Sequence, residues 1–169
     1  MKVAREYCVT MSRYNAWQNN QLEGFLQALD PVELARDRGA FFGSIMGTLN
    51  HLIWGDHLWV SRFDGGSEPV GWVGDGTIQF ATPDAWAAER RVLDARIDQW
   101  AKGLRDNDLD GMLSWQSGAT GQQHTTSLAL CVAQFFNHQT HHRGQVHAML
   151  TATGSKAPVS DLVYLPEDV

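Results

Sequence analysis

Four of the chain's seven histidines fall within ten residues, in His138-Gln139-Thr140-His141-His142-Arg143-Gly144-Gln145-Val146-His147. In a helix, at about 100° per residue, His138 and His142 lie about 40° apart, one turn above the other. Two imidazoles at that spacing can reach a single metal ion. A metal site needs at least a third protein ligand, and that ligand must come from elsewhere in the chain.

The face that carries His138 and His142 also carries Cys131, Phe135, Gln145 and Met149, all within about 60°. It is mostly apolar, so it is the face expected to turn to the core. His147 lies about 180° away and is expected outside, with His141 about 60° off the stripe, at its edge. Buried imidazoles need partners for their lone pairs, and a metal ion supplies one.

His51 is the candidate third ligand. Its helical face also carries Ser44, Gly47, Thr48, Gly55, Leu58 and Arg62, and Gly47 and Gly55 lie one turn to either side of it. Small residues there leave room around the imidazole. His57 and Asp56 point about 120° and 140° away from that face. Cys131 is about 10 Å along the helix from His138, too far to share an ion, and reads as a small core residue. His124 reads as a loop histidine, and the acids between Asp106 and Asp110 as a solvated loop. No residue presents itself as the catalytic acid or base.

Four long helices would position these groups. Periodic apolar residues place the first from about Val3 to Leu29, through Tyr7, Met11, Tyr14, Leu22 and Phe25, with Gln18 as a polar break. Asp30-Pro31 ends it or opens a short turn. The second runs from a Ser44 cap to about Phe63. Residues 64–81 hold five glycines and Pro69, a long connection of the kind that often serves function. Thr82-Pro83-Asp84 starts the third helix, with a hydroxyl cap and proline at the first helical position. It runs to about Arg105, with Trp86, Leu93, Ile97, Trp100 and Leu104 inward. Met112–Trp115 and Gln123–Thr126 can pair as a small hairpin. The fourth helix runs from Ser127 to about Thr153 and ends at Gly154. Leu162 to Leu165 can pack down as a short element. Four such helices in 169 residues predict an all-α fold and a single four-helix bundle domain over residues 1–169, with a small hairpin or loop before the last helix.

The net charge is −6, and no Lys/Arg run marks a nucleic-acid footprint. No apolar run approaches the roughly 20 residues that span a bilayer. No leader pattern opens the sequence, and its two cysteines, Cys8 and Cys131, form no disulfide framework. A cytoplasmic protein is the expectation, with no nucleic acid and no membrane as partners.

Leu49-Asn50-His51-Leu52-Ile53-Trp54-Gly55-Asp56 and Phe136-Asn137-His138-Gln139-Thr140-His141-His142-Arg143-Gly144-Gln145 resemble signature segments of the DinB family of damage-inducible bacterial proteins. Tyr14-Asn15-Ala16-Trp17-Gln18-Asn19 is similar to the family's first segment. The resemblance implies an up-down-down-up order for the bundle and a homodimer. It implies one divalent metal, zinc or nickel, held by His51, His138 and His142, the residues already chosen from helical faces.

Three neutral imidazoles with an open position suit a catalytic centre better than a closed structural one. Water activated there would give a hydrolase. A low-molecular-weight thiol in its place would give a thiol-dependent S-transferase acting on a small molecule in stress or detoxification, as relatives imply. A non-enzymatic metal-binding stress-response module is the third reading. The hydrolase needs a base beside the metal; Asp56 and His57 point away and His141 is marginal. The transferase needs cations at the mouth, and Arg62 and Arg143 are the candidates. The balance favours the transferase.

Overall fold

The computed structural model describes residues 2–71, 79–105, 107–118 and 120–168. Its long helices are α1 (Arg5–Gln27), α3 (Ile45–Asp64), α4 (Pro83–Gly103) and α5 (Leu128–Thr151), with a short α2 (Pro31–Ala35) after α1. Local chemistry sets the starts. The Ser44 hydroxyl accepts from Gly47 N, Thr82 accepts from Ala85 N, and Asp30 accepts from Val32 N. Each satisfies an amide that the first turn leaves without a carbonyl, and Pro31 and Pro83 sit where no N–H is needed.

The expected hairpin is present. Strands β1 (Met112–Gln116) and β2 (Gln123–Ser127) pair antiparallel, from Met112 opposite Ser127 to Gln116 opposite Gln123. β2 runs straight into α5, so the small sheet fixes where the histidine-bearing helix begins. Among the described residues the fold is therefore mostly helical with one two-stranded sheet, rather than helical throughout.

α1 packs on α4 and α5, and α3 packs on α4 and α5. Between them Leu26, Ile45, Leu49, Trp86, Leu93, Ile97, Phe135, Phe136 and Leu150 are buried. Each such large apolar side chain contributes about 1.5–3 kcal/mol by leaving water.

A polar network crosses this core and touches all four long helices. Arg90 of α4 donates to Asp56 of α3 at 2.6 Å and pairs with Asp94 one turn on at 2.9 Å. Asp94 accepts from Asn15 and Asn19 of α1 at 2.9 and 3.0 Å. Arg143 of α5 donates to Asn15. All of these side chains are buried. Two arginines and two aspartates leave the network formally neutral, which is what makes its burial tolerable.

The chain's last segment lies along α1. Gln18, the polar break in the α1 stripe, is buried and donates to the Val159 carbonyl at 2.7 Å. Tyr14 donates to Ser160 O, and Arg13 to Pro166 O and Glu167 O. Leu162–Tyr164 forms a 3-10 turn, but Val163 and Tyr164 stay exposed and Leu165 alone of this group packs on the core. Polar bonds from α1, more than apolar packing, hold the tail down.

In the 64–81 connection, residues 72–78 lie outside the described residues, as does Asp106 in the later acidic loop. At the near end, Gly71 O accepts from the Trp54 indole at 3.0 Å. At the far end, Asn50 bonds both the N–H and the C=O of Phe80. Among the described residues no helix is long and apolar enough to cross a membrane.

Candidate metal centre

His51 reaches inward from α3 while His138 and His142 reach it from α5. The His51 and His138 Nε2 atoms are 3.0 Å apart. Ring centroids are 4.7 Å apart for His51 and His142, and 4.5 Å for His138 and His142. One nitrogen from each ring lies within 4.8 Å of the others, an arrangement compatible with metal binding. Tetrahedral zinc, with metal–nitrogen bonds of about 2.0–2.1 Å, spaces its ligand nitrogens about 3.3 Å apart. The His51–His138 pair is already near that spacing.

The surroundings support a ligand role. His142 Nδ1 pairs with Gln145 Oε1 at 2.7 Å. A carbonyl oxygen only accepts, so Nδ1 carries the proton and Nε2 keeps its lone pair, the usual arrangement behind a ligating imidazole. His138 Nδ1 is buried without a hydrogen-bond partner among the described residues. Two imidazole nitrogens at 3.0 Å with no ion between them must share a proton, whereas a metal accepts a lone pair from each.

The two glycines flanking His51 make room, but for other groups than expected. A Cβ on Gly55 would lie 3.1 Å from His138 Cε1, so this glycine admits the partner imidazole. A Cβ on Gly47 would lie 2.2 Å from the Phe42 carbonyl oxygen, so this one admits the backbone ahead of α3. That approach brings the Phe42 ring onto His51, stacked at 3.8 Å between centroids and 19° between planes, with an edge contact to His142 at 5.5 Å. Phe42 and the Gln145 partnership went unread in the sequence. Gln145 was findable, three residues after His142 on the same face. Phe42 sits in an irregular segment where periodicity carries no signal.

The other histidines lie apart from the three. His57 pairs with Glu89 at 2.7 Å. His124 is exposed on β2, not in a loop, and stacks on Trp115. His147 lines a cavity with Tyr14 and Arg143. His141 is exposed beside the cluster, its ring 4.8 Å from that of His142. Both cysteines are buried and unpaired. Of the two arginines expected at the mouth, Arg143 is instead inside the polar network, where burial pulls it down to about 10. Arg62 lies over the rings of Trp59 and Trp115.

The model of the DinB family matches residues 1–168. The chain belongs to the DinB family. It is 26% identical over 163 residues to Protein DinB of Bacillus subtilis (strain 168), covering 95% of this chain and 94% of that one. Its fold is similar to that of a DinB-like protein from Bacillus cereus ATCC 10987, with a TM-score of 0.71 at 16% identity, covering 94% of this chain and 99% of that one. His51, His138 and His142, from the stretches whose resemblance to the family was noted in the sequence, converge in space.

Burial, then the neighbouring imidazoles, push His51 down to about 3 and His138 down to about 4; burial also lowers His142. All three are therefore neutral at neutral pH, the form that binds metal. In the unfolded chain they take up protons near 6.5. Between 6.5 and about 3 the unfolded state thus binds more protons than the folded one. Their contribution to stability is whole above 6.5 and lost progressively toward about 3. Melting of the metal-free protein from pH 7.5 to 4.5 is expected to show a falling midpoint, with a shallower fall in His51→Gln. Equal slopes for the two proteins would contradict the assignment.

Proposed function

We propose that this DinB-family protein holds one divalent metal ion, zinc or nickel, through His51, His138 and His142. The chain is taken as one up-down-down-up four-helix bundle domain, working as a cytoplasmic homodimer. Its activity is a thiol-dependent S-transfer to small electrophiles, in stress response or detoxification. The observation that carries this is the convergence of three neutral imidazoles from two helices, with 3.0 Å between the nearest pair.

A metal bound with a position open supplies a Lewis acid that brings a thiol to its anionic form near neutral pH. The protein's own groups do the rest. His51, His138 and His142 offer lone pairs and no charge. Phe42 covers His51 and keeps water from one side of the cluster. Gln145 holds the His142 proton on Nδ1. In the transfer, the thiol sulfur forms a bond to the electrophilic carbon, the leaving group departs with its electron pair, and the thiol proton passes to solvent.

A hydrolase would need a base facing the three histidines. Asp56 is tied to Arg90, and His57 to Glu89. Among the described residues His141 is the group of that kind beside the cluster, and it keeps the hydrolase as the second reading.

Cobalt substitution separates these. Adding 3-mercaptopropionate to the cobalt protein is expected to produce a sulfur-to-metal charge-transfer band. A Cys8→Ser, Cys131→Ser double variant should respond like the parent, since both native thiols are buried. If phosphate or acetate perturbs the cobalt spectrum and no thiol does, the hydrolase reading replaces this one. If nothing perturbs it, the metal-binding module does.

A further inference from the structure

One face of α3 continues past His51. At helical spacing Leu58 and Arg62 lie within about 20° of it, with Trp54 about 60° to one side. These three residues line a cleft of about 620 Å³ whose far wall is the hairpin, through Ser114, Trp115 and Gln116. Trp54 joins the cleft to the metal centre: it lines the one, and its ring lies 6.4 Å from that of His51 in the other.

Arg62 is the cation of this cleft. Its guanidinium carbon is 4.8 Å from the Trp59 ring centre and 5.4 Å from that of Trp115. Rings hold it in place while leaving its N–H edges available, and it forms no direct ion pair among the described residues. Glu68, also in the lining, acts on it from a distance. Planar guanidinium groups positioned by aromatic faces suit two-point recognition of a carboxylate.

Arg62 follows His51 by eleven residues, about 16 Å along the axis. That is the length of an extended chain of about five residues. We infer that this cleft selects the thiol: the substrate class is an elongated thiol whose terminal carboxylate pairs with Arg62, about 16 Å along α3 from His51. The inference rests on the metal-and-thiol reading above, and deepens it by naming what lies beyond the sulfur. Glu68 is then a competing anion that the ligand displaces.

The test compares 11-mercaptoundecanoate with 11-mercaptoundecanol on the cobalt-substituted protein, and octanoate on the metal-free protein by tryptophan quenching. The acid is expected to bind about ten-fold tighter than the alcohol, the worth of one charged hydrogen-bonded pair. Arg62→Met should erase that preference, Arg62→Lys should restore part of it, and Glu68→Gln should increase it. Octanoate should quench fluorescence in the parent and not in Arg62→Met. Equal binding of acid and alcohol, or a preference surviving in Arg62→Met, overturns the inference while leaving thiol binding intact. If no thiol perturbs the cobalt spectrum, the thiol reading is what fails. Octanoate quenching then decides the carboxylate site alone: dependence on Arg62 supports it and independence overturns it.

Discussion

Alanine at His51, His138 or His142 is expected to lower metal affinity by more than about a hundred-fold, since even partners behind a ligand are worth 10–100-fold. Each ring supplies one of three lone pairs within 4.8 Å, so two survivors cannot hold the ion as three do. His124→Ala and His147→Ala should leave affinity unchanged, because one ring stacks on the hairpin and the other lines a cavity with Tyr14. Titration against a competing chelator, with metal content measured on the same samples, reads the difference. His51→Ala also uncovers the Phe42 face, so circular dichroism should accompany it to show that α3 persists. Equal loss from His147→Ala and His142→Ala would refute the geometric assignment.

Removing one charge from the buried network should produce the largest loss of stability. Asp56→Ala leaves Arg90 facing a single aspartate inside the core, and Arg90→Ala leaves two aspartates without their guanidinium. Burial pushes both carboxyls above their ordinary range while Arg90 most strongly opposes it, so it is the partner both acids share. Breaking a buried pair costs about 3–5 kcal/mol, because the remaining charge stays desolvated. For a domain of this size that lowers the melting midpoint by about 10 °C. An Asp56→Leu, Arg90→Met double variant should cost less than the sum of its parts, since the second change removes the orphan that the first created. Thermal and denaturant melts of the three variants give the comparison. Wild-type stability in Asp56→Ala would contradict the network's role.

The metal ligands were legible because a helix converts spacing into direction. His138 and His142 announce a shared face, and His51 shares its own with Gly47 and Gly55. The same arithmetic placed Asp56 away from the site but said nothing of where it went. Its destination, Arg90, sits on another helix, and pairing across helices depends on how they are aligned. Arg143 shows the opposite failure. A cation next to a ligand reads as a mouth residue, yet its neighbour Asn15 lies on α1, 128 residues away. Charged side chains default to the surface until a compensating partner is known, and that partner was invisible in one dimension. Helix bounds fell within two residues of expectation where a cap or proline marked them. Phe42 escaped because irregular segments have no period to betray which way a ring turns.

The stacking of Phe42 on His51 gives the centre a reporter of its own. Protons held over the face of a benzene ring are shielded by its circulating π electrons. With 3.8 Å between centroids and planes 19° apart, the carbon-bound protons of the His51 imidazole lie within that shielded region. Their resonances should fall upfield of the position of an unstacked histidine. Because the ring belongs to the segment leading into α3 and not to either ligand-bearing helix, that displacement measures how closely the segment is seated. Any opening of it would move the signal back toward the ordinary position before a helix had shifted.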